Sequence, residues 1–373
     1  MEIRMVDLGG QYKRIKEEID TAMQDVVDDT AFIKGKYVSA FRDSLSEYLG
    51  VKHVIPCGNG TDAIQLALMA MEYEKGSEVI TTPFTFVATV EVICLLGLKP
   101  VFVDIDPRTF NIDAEKLQQA ITPRTKCIIP VHLFGQCCDM GSIVEVATKN
   151  GLDIVEDNAQ AIGAWYGNSD RKAGTIGQIG TLSFFPSKNL GCYGDGGAVM
   201  TNDDELAYKI ELYANHGSMK KYYYESVGIN SRLDGLQAAI LDVKLKYLDD
   251  YILRRQKAAK RYNELLSEVE GIICPHIAND RNHVFHQYTI KLESGRDELK
   301  SYLSGQGIPC AIYYPEPLHT QTVYQNYVTL ETDLRITERV CQQVISLPMH
   351  TELTEEMLVH ITDAVKAGIA QPA

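Results

Sequence analysis

The chain has 373 residues, 45% hydrophobic and 23% charged. Those proportions are globular and exclude a disordered or fibrous chain; at about 150 residues per domain, the length suits two or three domains, or one large α/β domain with an appendage. Lys plus Arg number 36 against 50 Asp plus Glu, a formal charge of −14, which argues against a nucleic-acid binder, because phosphates need clustered base.

No membrane segment is expected. The apolar run Val92–Leu98 falls short of the roughly 20 residues that span a bilayer. Glu2, Arg4 and Asp7 interrupt the stretch where a signal peptide would be apolar. The nine cysteines contain no Cys-x-x-Cys pair, and reduced, buried thiols in a cytoplasmic protein are expected.

In chain order, His53–Pro56, Glu78–Thr82, Pro100–Ile105, Cys127–Leu133 and Asp153–Glu156 read as buried strands. Asp62–Met71, Val87–Leu96, Ala114–Ile121 and Met140–Asn150 read as the intervening helices. The alternation predicts an α/β fold with a mainly parallel sheet covered on both faces. Ligands of such sheets sit beyond the carboxyl ends of the strands. Thr181–Phe185 and Ala198–Thr201 read as two more strands, and Asp204–Asn215 as a helix capped by Asn202 or Asp203. Ser231–Glu268 reads as one long helix or a bent pair. Gln287–Leu292 alternates like a strand, Asp297–Ser304 is helical, and Glu352–Lys366 is a final amphipathic helix. A boundary near residue 250 is expected, dividing a large unit, 1–250, from a smaller α+β unit, 251–373.

Four loops after strands carry chemistry. Lys188 follows an apolar strand and the aromatics Phe184 and Phe185. Desolvation there would lower its pKa and make the amine a nucleophile towards an aldehyde; the plainer reading is a surface lysine. Asp157 ends a buried strand, where its carboxylate suits a basic ring nitrogen and Gln160 a ring hydroxyl; alternatively Asp157 or Asn158 only caps a helix. Gly58-Asn59-Gly60-Thr61 opens a helix and offers an anion its backbone N–H groups, with Ser183 adding a hydroxyl. In Pro83-Phe84-Thr85-Phe86 one aromatic is placed to stack on a flat ring. Together these supply the parts that pyridoxal phosphate (PLP) needs. His132 reads as a satisfied core residue and His216 as a helix-end cation. No cluster has metal-ligand spacing.

These segments, with Asp7-Leu8…Gln11, Gly228–Asp234, Tyr314–His319 and Ser346–Met349, resemble the DegT/DnrJ/EryC1/StrS family of PLP-dependent sugar aminotransferases over nearly the whole chain. The resemblance implies the type I aspartate aminotransferase fold. It implies that Lys188 carries the cofactor as a Schiff base and moves the substrate proton. Asp157 pairs with the pyridine nitrogen, Gln160 with the ring hydroxyl, and Gly60, Thr61 and Ser183 with the phosphate. Phe86 is the stacking aromatic, where the family often has Tyr or Trp. Asn230 reaches the phosphate of a neighbouring subunit and Arg232 meets substrate there, so a homodimer with shared sites is implied. Tyr313, Tyr314 and His319 lie near the sugar, and Tyr313 departs from the His found in several relatives.

The implied reaction moves an amino group from an amino acid, glutamate in the family, to a keto sugar on UDP or dTDP. Similarity is strongest to 3-aminotransferases. Retention of Lys188 disfavours the dehydratases of the family, which carry His there. The reading from another class is a PLP-binding regulator without turnover; the intact Lys188–Asp157 pair disfavours it.

Overall fold

A computed structural model describes residues 1–167, 171–327 and 333–370. Three helices precede the first strand: Leu8–Arg14 (α1), Lys16–Asp28 (α2) and Lys36–Leu49 (α3). They were not among the expected elements. Their apolar stripes are thin: Ile19 and Val26 are the buried residues of α2, and Phe41, Leu45 and Leu49 those of α3.

The α/β alternation follows as His53–Cys57 (β1), Gly60–Met71 (α4), Glu78–Thr81 (β2), Ala88–Leu95 (α5), Lys99–Phe102 (β3), Leu117–Ala120 (α6), Thr125–Ile128 (β4), Met140–Asn150 (α7) and Asp153–Asp157 (β5). Ile179–Ser183 (β6), Gly197–Thr201 (β7) and Asp204–Ala214 (α8) complete it. The seven strands lie in the order β1-β7-β6-β5-β4-β2-β3. Strand β7 runs against both its neighbours, and the other pairs are parallel. Hence β1, β2, β4, β5 and β6 all deliver their carboxyl ends to one edge of the sheet.

Strand β4 is shorter than the apolar run Cys127–Leu133 predicts. The regular ladder stops at Ile128, Val131 keeps an isolated bridge to Asp157, and the chain then turns through Phe134 (φ 56°) and Gly135 (φ 111°). A Cβ on Gly135 would lie 2.8 Å from the Phe285 nitrogen, so glycine is required where these two segments cross.

The predicted long helix is a pair, Gly235–Leu245 (α9) and Leu248–Leu266 (α10), and Ser231–Asp234 lies outside it. Beyond come Ile272–Ile273 (β8), Tyr288–Leu292 (β9), Arg296–Gly305 (α11), Arg335–Gln343 (α12), Val344–Leu347 (β10) and Glu355–Ile369 (α13). Strands β10, β9 and β8 form a separate antiparallel sheet. The final helix starts at Glu355 rather than Glu352 because Thr354 caps it, accepting the Met357 N–H.

Helix α10 takes part in both main apolar cores. Leu248 and Ile252 join the core that holds Phe41 and Phe184. Ala258, Ala259, Tyr262 and Leu266 join Ile290, Leu303 and Ile361 in the second core, as does Ile3 from the N-terminus. All nine cysteines are unpaired. Among the described residues no helix is long and apolar enough to cross a membrane.

Candidate active site

A cavity of about 570 Å³ opens at the sheet edge where the strands end. Its wall includes Gly60 and Thr61 after β1, Phe86 and Thr89 after β2, and Asp157 and Gln160 at the end of β5. Ser183 ends β6 and Lys188 follows it, while His286, Gln287, Tyr313 and Tyr314 come from the chain beyond α10. Nine of the expected site residues therefore share this wall: Gly60, Thr61, Phe86, Asp157, Gln160, Ser183, Lys188, Tyr313 and Tyr314.

Each is held by a local reason. Asn59 caps α4 by accepting the Asp62 N–H at 2.8 Å, so the amides of the first turn, Gly60 and Thr61, point off the helix end. A Cβ on Gly60 would stand 2.7 Å from the Ser183 Cβ, so only glycine lets the helix start and the β6 end converge. Gly60→Ala is accordingly expected to weaken phosphate binding at least tenfold, read as cofactor affinity of the apoprotein by fluorescence titration. Unchanged affinity would remove Gly60 from the anion site.

Bends after β2 separate the two aromatics, which strand alternation alone would place on one face. Phe84 is fully buried and packs on Phe110, Phe134 and Tyr314. Phe86 stays 57% exposed and lines the cavity.

Alternation divides Glu156 from Asp157. Glu156 is buried and accepts the N–H groups of Gly174 (2.8 Å), Ile176 (2.6 Å) and Gly177 (2.6 Å), and pairs with His132 Nε2 at 2.8 Å. Burial alone would raise its pKa; the hydrogen bond from His132 and the backbone donors outweigh that and hold the carboxyl below its ordinary range. His132 Nδ1 accepts the Cys138 N–H at 3.1 Å, so its ring proton sits on Nε2 and is donated to Glu156. Removing the acceptor with Glu156→Ala strands these donors, and should cost about 3–5 kcal/mol as breaking a buried pair does. The denaturant midpoint measures it; a loss under about 1 kcal/mol would contradict the pairing.

Asp157 Oδ1 accepts the Ala159 N–H at 3.1 Å and Oδ2 the Thr89 hydroxyl at 2.8 Å. Residues 158–167 form turns and bridges rather than a helix, so the helix-cap alternative for Asp157 fails. Gln160 does not end a helical turn either. Its Oε1 accepts the Phe134 N–H at 2.7 Å and its amide donates to the Tyr314 hydroxyl at 3.3 Å, leaving one amide hydrogen for another acceptor.

Lys188 sits in a tight loop rather than on the surface. A Cβ on Gly191 would meet the Pro186 carbonyl oxygen at 2.3 Å. From α9, Lys244 donates to the Gly191 carbonyl at 2.5 Å and Gln237 accepts the Tyr193 N–H at 2.8 Å. Lys188 is half-buried and lines the cavity. Desolvation pushes its amine down to about 8, against the opposing charge of Asp157.

Three expected residues lie elsewhere. Asn230 and Arg232 sit on an extended run bonded to the end of α8. There Ser231 and Leu233 face inward while Asn230 is exposed and Arg232 half-buried. Arg232 lines a different surface cavity with Lys34, Arg42 and His53. His319 is 7% exposed, tilted on Phe102 and paired with Glu338 at 3.2 Å, outside the cavity wall. The sequence reading missed Thr85, Thr89, His286 and Gln287. The i, i+4 spacing of the two threonines at a helix start was a usable signal; nothing distinguished His286 from its neighbours His276 and His283.

The sequence profile of the DegT/DnrJ/EryC1/StrS aminotransferase family matches residues 13–366. The chain belongs to this family. Members of the DegT family are PLP-dependent sugar aminotransferases. The chain is 45% identical over 351 residues to UDP-2-acetamido-2-deoxy-3-oxo-D-glucuronate aminotransferase of Pseudomonas aeruginosa, covering 94% of this chain and 96% of that one. It is 47% identical over 367 residues, 98% of each chain, to a pleiotropic regulatory protein of Geobacillus stearothermophilus. The crystal structure of S. venezuelae DesV in complex with a ketimine intermediate superposes with a TM-score of 0.95 at 37% identity, covering 100% of both chains. The DegT-family fold is thereby the fold of this chain.

The cavity fits PLP by its own chemistry. It offers a helix N-terminus and a hydroxyl for a phosphate, a cradle at Gly60 that a Cβ would fill, a buried carboxylate for a ring nitrogen and a desolvated amine for an aldehyde. Among the described residues no group of His, Cys, Asp and Glu could hold a metal ion.

Proposed function

We propose that this DegT-family enzyme transfers the amino group of an amino acid, L-glutamate, to a 3-keto sugar carried on UDP or dTDP. The observation that carries the reading is the convergence of Lys188, Asp157 and the α4 N-terminus on one cavity. The P. aeruginosa relative, by its name an aminotransferase of a UDP-linked 3-oxo sugar, supports the sugar class.

When bound, PLP supplies an electron sink for a carbanion. The chain's own groups do the rest. Gly60, Thr61 and Ser183 would hold the phosphate, and Phe86 would stack on the ring. Asp157 would keep a proton on the ring nitrogen, and Gln160 would donate its spare amide hydrogen to the ring hydroxyl. Lys188 Nζ, with a pKa of about 8, has a neutral fraction at working pH and carries the proton to and from the substrate carbon. Tyr313 and Tyr314 narrow one side of the cavity, where the sugar would enter.

The second part of the reading is a homodimer in which the partner subunit's Asn230 and Arg232 complete the site. Its support is that neither residue lines its own subunit's cavity, and that Lys188 is the only Lys or Arg among the described residues of the cavity wall. A diphosphate or a uronate carboxylate therefore needs a cation from elsewhere, and two-fold dimers make such gifts reciprocal.

Two experiments test this. Mass spectrometry of products from UDP- and dTDP-linked 3-keto and 4-keto sugars, with glutamate as donor, should show amination of a 3-keto sugar; amination of 4-keto sugars alone would overturn the assignment. Heterodimers of Lys188→Ala and Arg232→Ala subunits should regain one working site. Activity no higher than the sum of the two mutant homodimers would mean that Arg232 does not act across the interface.

A further inference from the structure

The carboxylate of Asp157 is gripped by a hydroxyl relay that the reading of the site has not used. Thr89 is fully buried in the first turn of α5, and Thr85 is 2% exposed four residues earlier. The Thr85 and Thr89 hydroxyl oxygens are 3.3 Å apart, and Thr89 Oγ1 lies 2.8 Å from Asp157 Oδ2. A hydroxyl has one proton to give. An ionised carboxylate only accepts, so the Thr89 proton goes to Asp157, and the Thr89 oxygen in turn accepts from Thr85. The relay thus has one direction, Thr85 to Thr89 to Asp157. With the Ala159 N–H on Oδ1 at 3.1 Å, each carboxylate oxygen is tied by one donor, and the plane of the group is fixed. Both threonines lie on the cavity wall beside Asp157.

We propose that Thr89, backed by Thr85, is a positioning residue for Asp157: it sets the plane of the carboxylate so that one oxygen faces the ring nitrogen of the cofactor. The proposal rests on the reading of Asp157 as the partner of that nitrogen. The competing role is packing at the start of α5, which the isosteric Val would preserve.

The test uses the apoprotein and two probes, PLP and its 1-deaza analogue, in which carbon replaces the ring nitrogen. Affinities for both are measured by fluorescence titration in wild type, Thr89→Val and Thr89→Ser, with circular dichroism as a check on folding. Wild type should prefer PLP over the analogue. Thr89→Val should cut that preference by about tenfold, the scale of a hydrogen bond to a charged group, and leave analogue affinity within about twofold. Thr89→Ser keeps the hydroxyl and should restore the preference. Thr85→Val, one bond further out, should reduce it by less. If Thr89→Val does not fold, Thr89→Ala makes the same comparison. An unchanged preference in Thr89→Val would show that Thr89 only packs, while leaving Asp157 in its role. No preference in wild type would remove the Asp157 reading itself, and this proposal with it.

Discussion

Lys188→Ala is expected to abolish turnover, by ~10⁴-fold or more, the upper end of what a positioned acid–base group supplies. Its amine also has to bond the cofactor, so the loss compounds. Borohydride treatment of the loaded wild-type enzyme, followed by peptide mapping, should leave the pyridoxyl label on Lys188. A label on Lys172, whose ammonium sits over the Tyr48 ring, or on Lys209, paired with Glu72 and Glu205, would overturn the assignment. A pH signature accompanies it. In the cofactor-free protein the amine titrates near 8 instead of 10.5, so its acylation by a small reagent should rise through pH 8. The sign for stability follows from linkage. Between about 8 and 10.5 the unfolded chain keeps a proton that the folded chain has lost, so stability gains with pH there. Below pH 8 the desolvated ammonium is a cost. Cofactor-free Lys188→Ala at pH 7 should therefore melt no lower than wild type.

Asp157→Asn should retain much of the PLP yet lose roughly 10²–10³-fold in kcat, the scale for losing one preorganised electrostatic partner. An amide cannot balance a protonated ring nitrogen as a carboxylate does, so the electron sink weakens. The fold should persist, since Asn is the same size and can still accept from Thr89. Steady-state kcat with saturating cofactor measures the effect. Turnover near the wild-type rate would leave Asp157 without a part in the chemistry.

The parallel sheet was legible because β-rich runs and helical runs alternate between residues 53 and 201, and because site residues of such a sheet must follow its strands. The N-terminal helices were not, because their few apolar positions leave a faint stripe. The end of β4 was missed because Ile129, Val131 and Leu133 stay buried past the last strand residue, with only an isolated bridge from Val131 to Asp157; apolar content marks burial, not a continuous ladder. Lys188 and Asp157 stood out because each was a charge set against an apolar strand. Thr89 could have been found by its spacing from Thr85, whereas His286 is an ordinary residue locally and only the fold brings it to the cavity. His319 was named through a resemblance, and its packing against Phe102 depends on contacts that spacing along the chain does not encode.

Helix α10, shared by two apolar cores, has a mechanical consequence. A flexible linker in its place would let the two cores swing apart. A continuous helix anchored at one end by Leu248 and Ile252 and at the other by Tyr262 and Leu266 acts instead as a stiff beam. Bending it sharply means opening backbone hydrogen bonds, each worth about 1 kcal/mol net, and disturbing both cores at once. The exposed rings of Phe86 and Phe185 on the cavity wall are then the side chains freest to yield to an entering ligand, and the floor carrying Lys188 and Asp157 keeps its geometry.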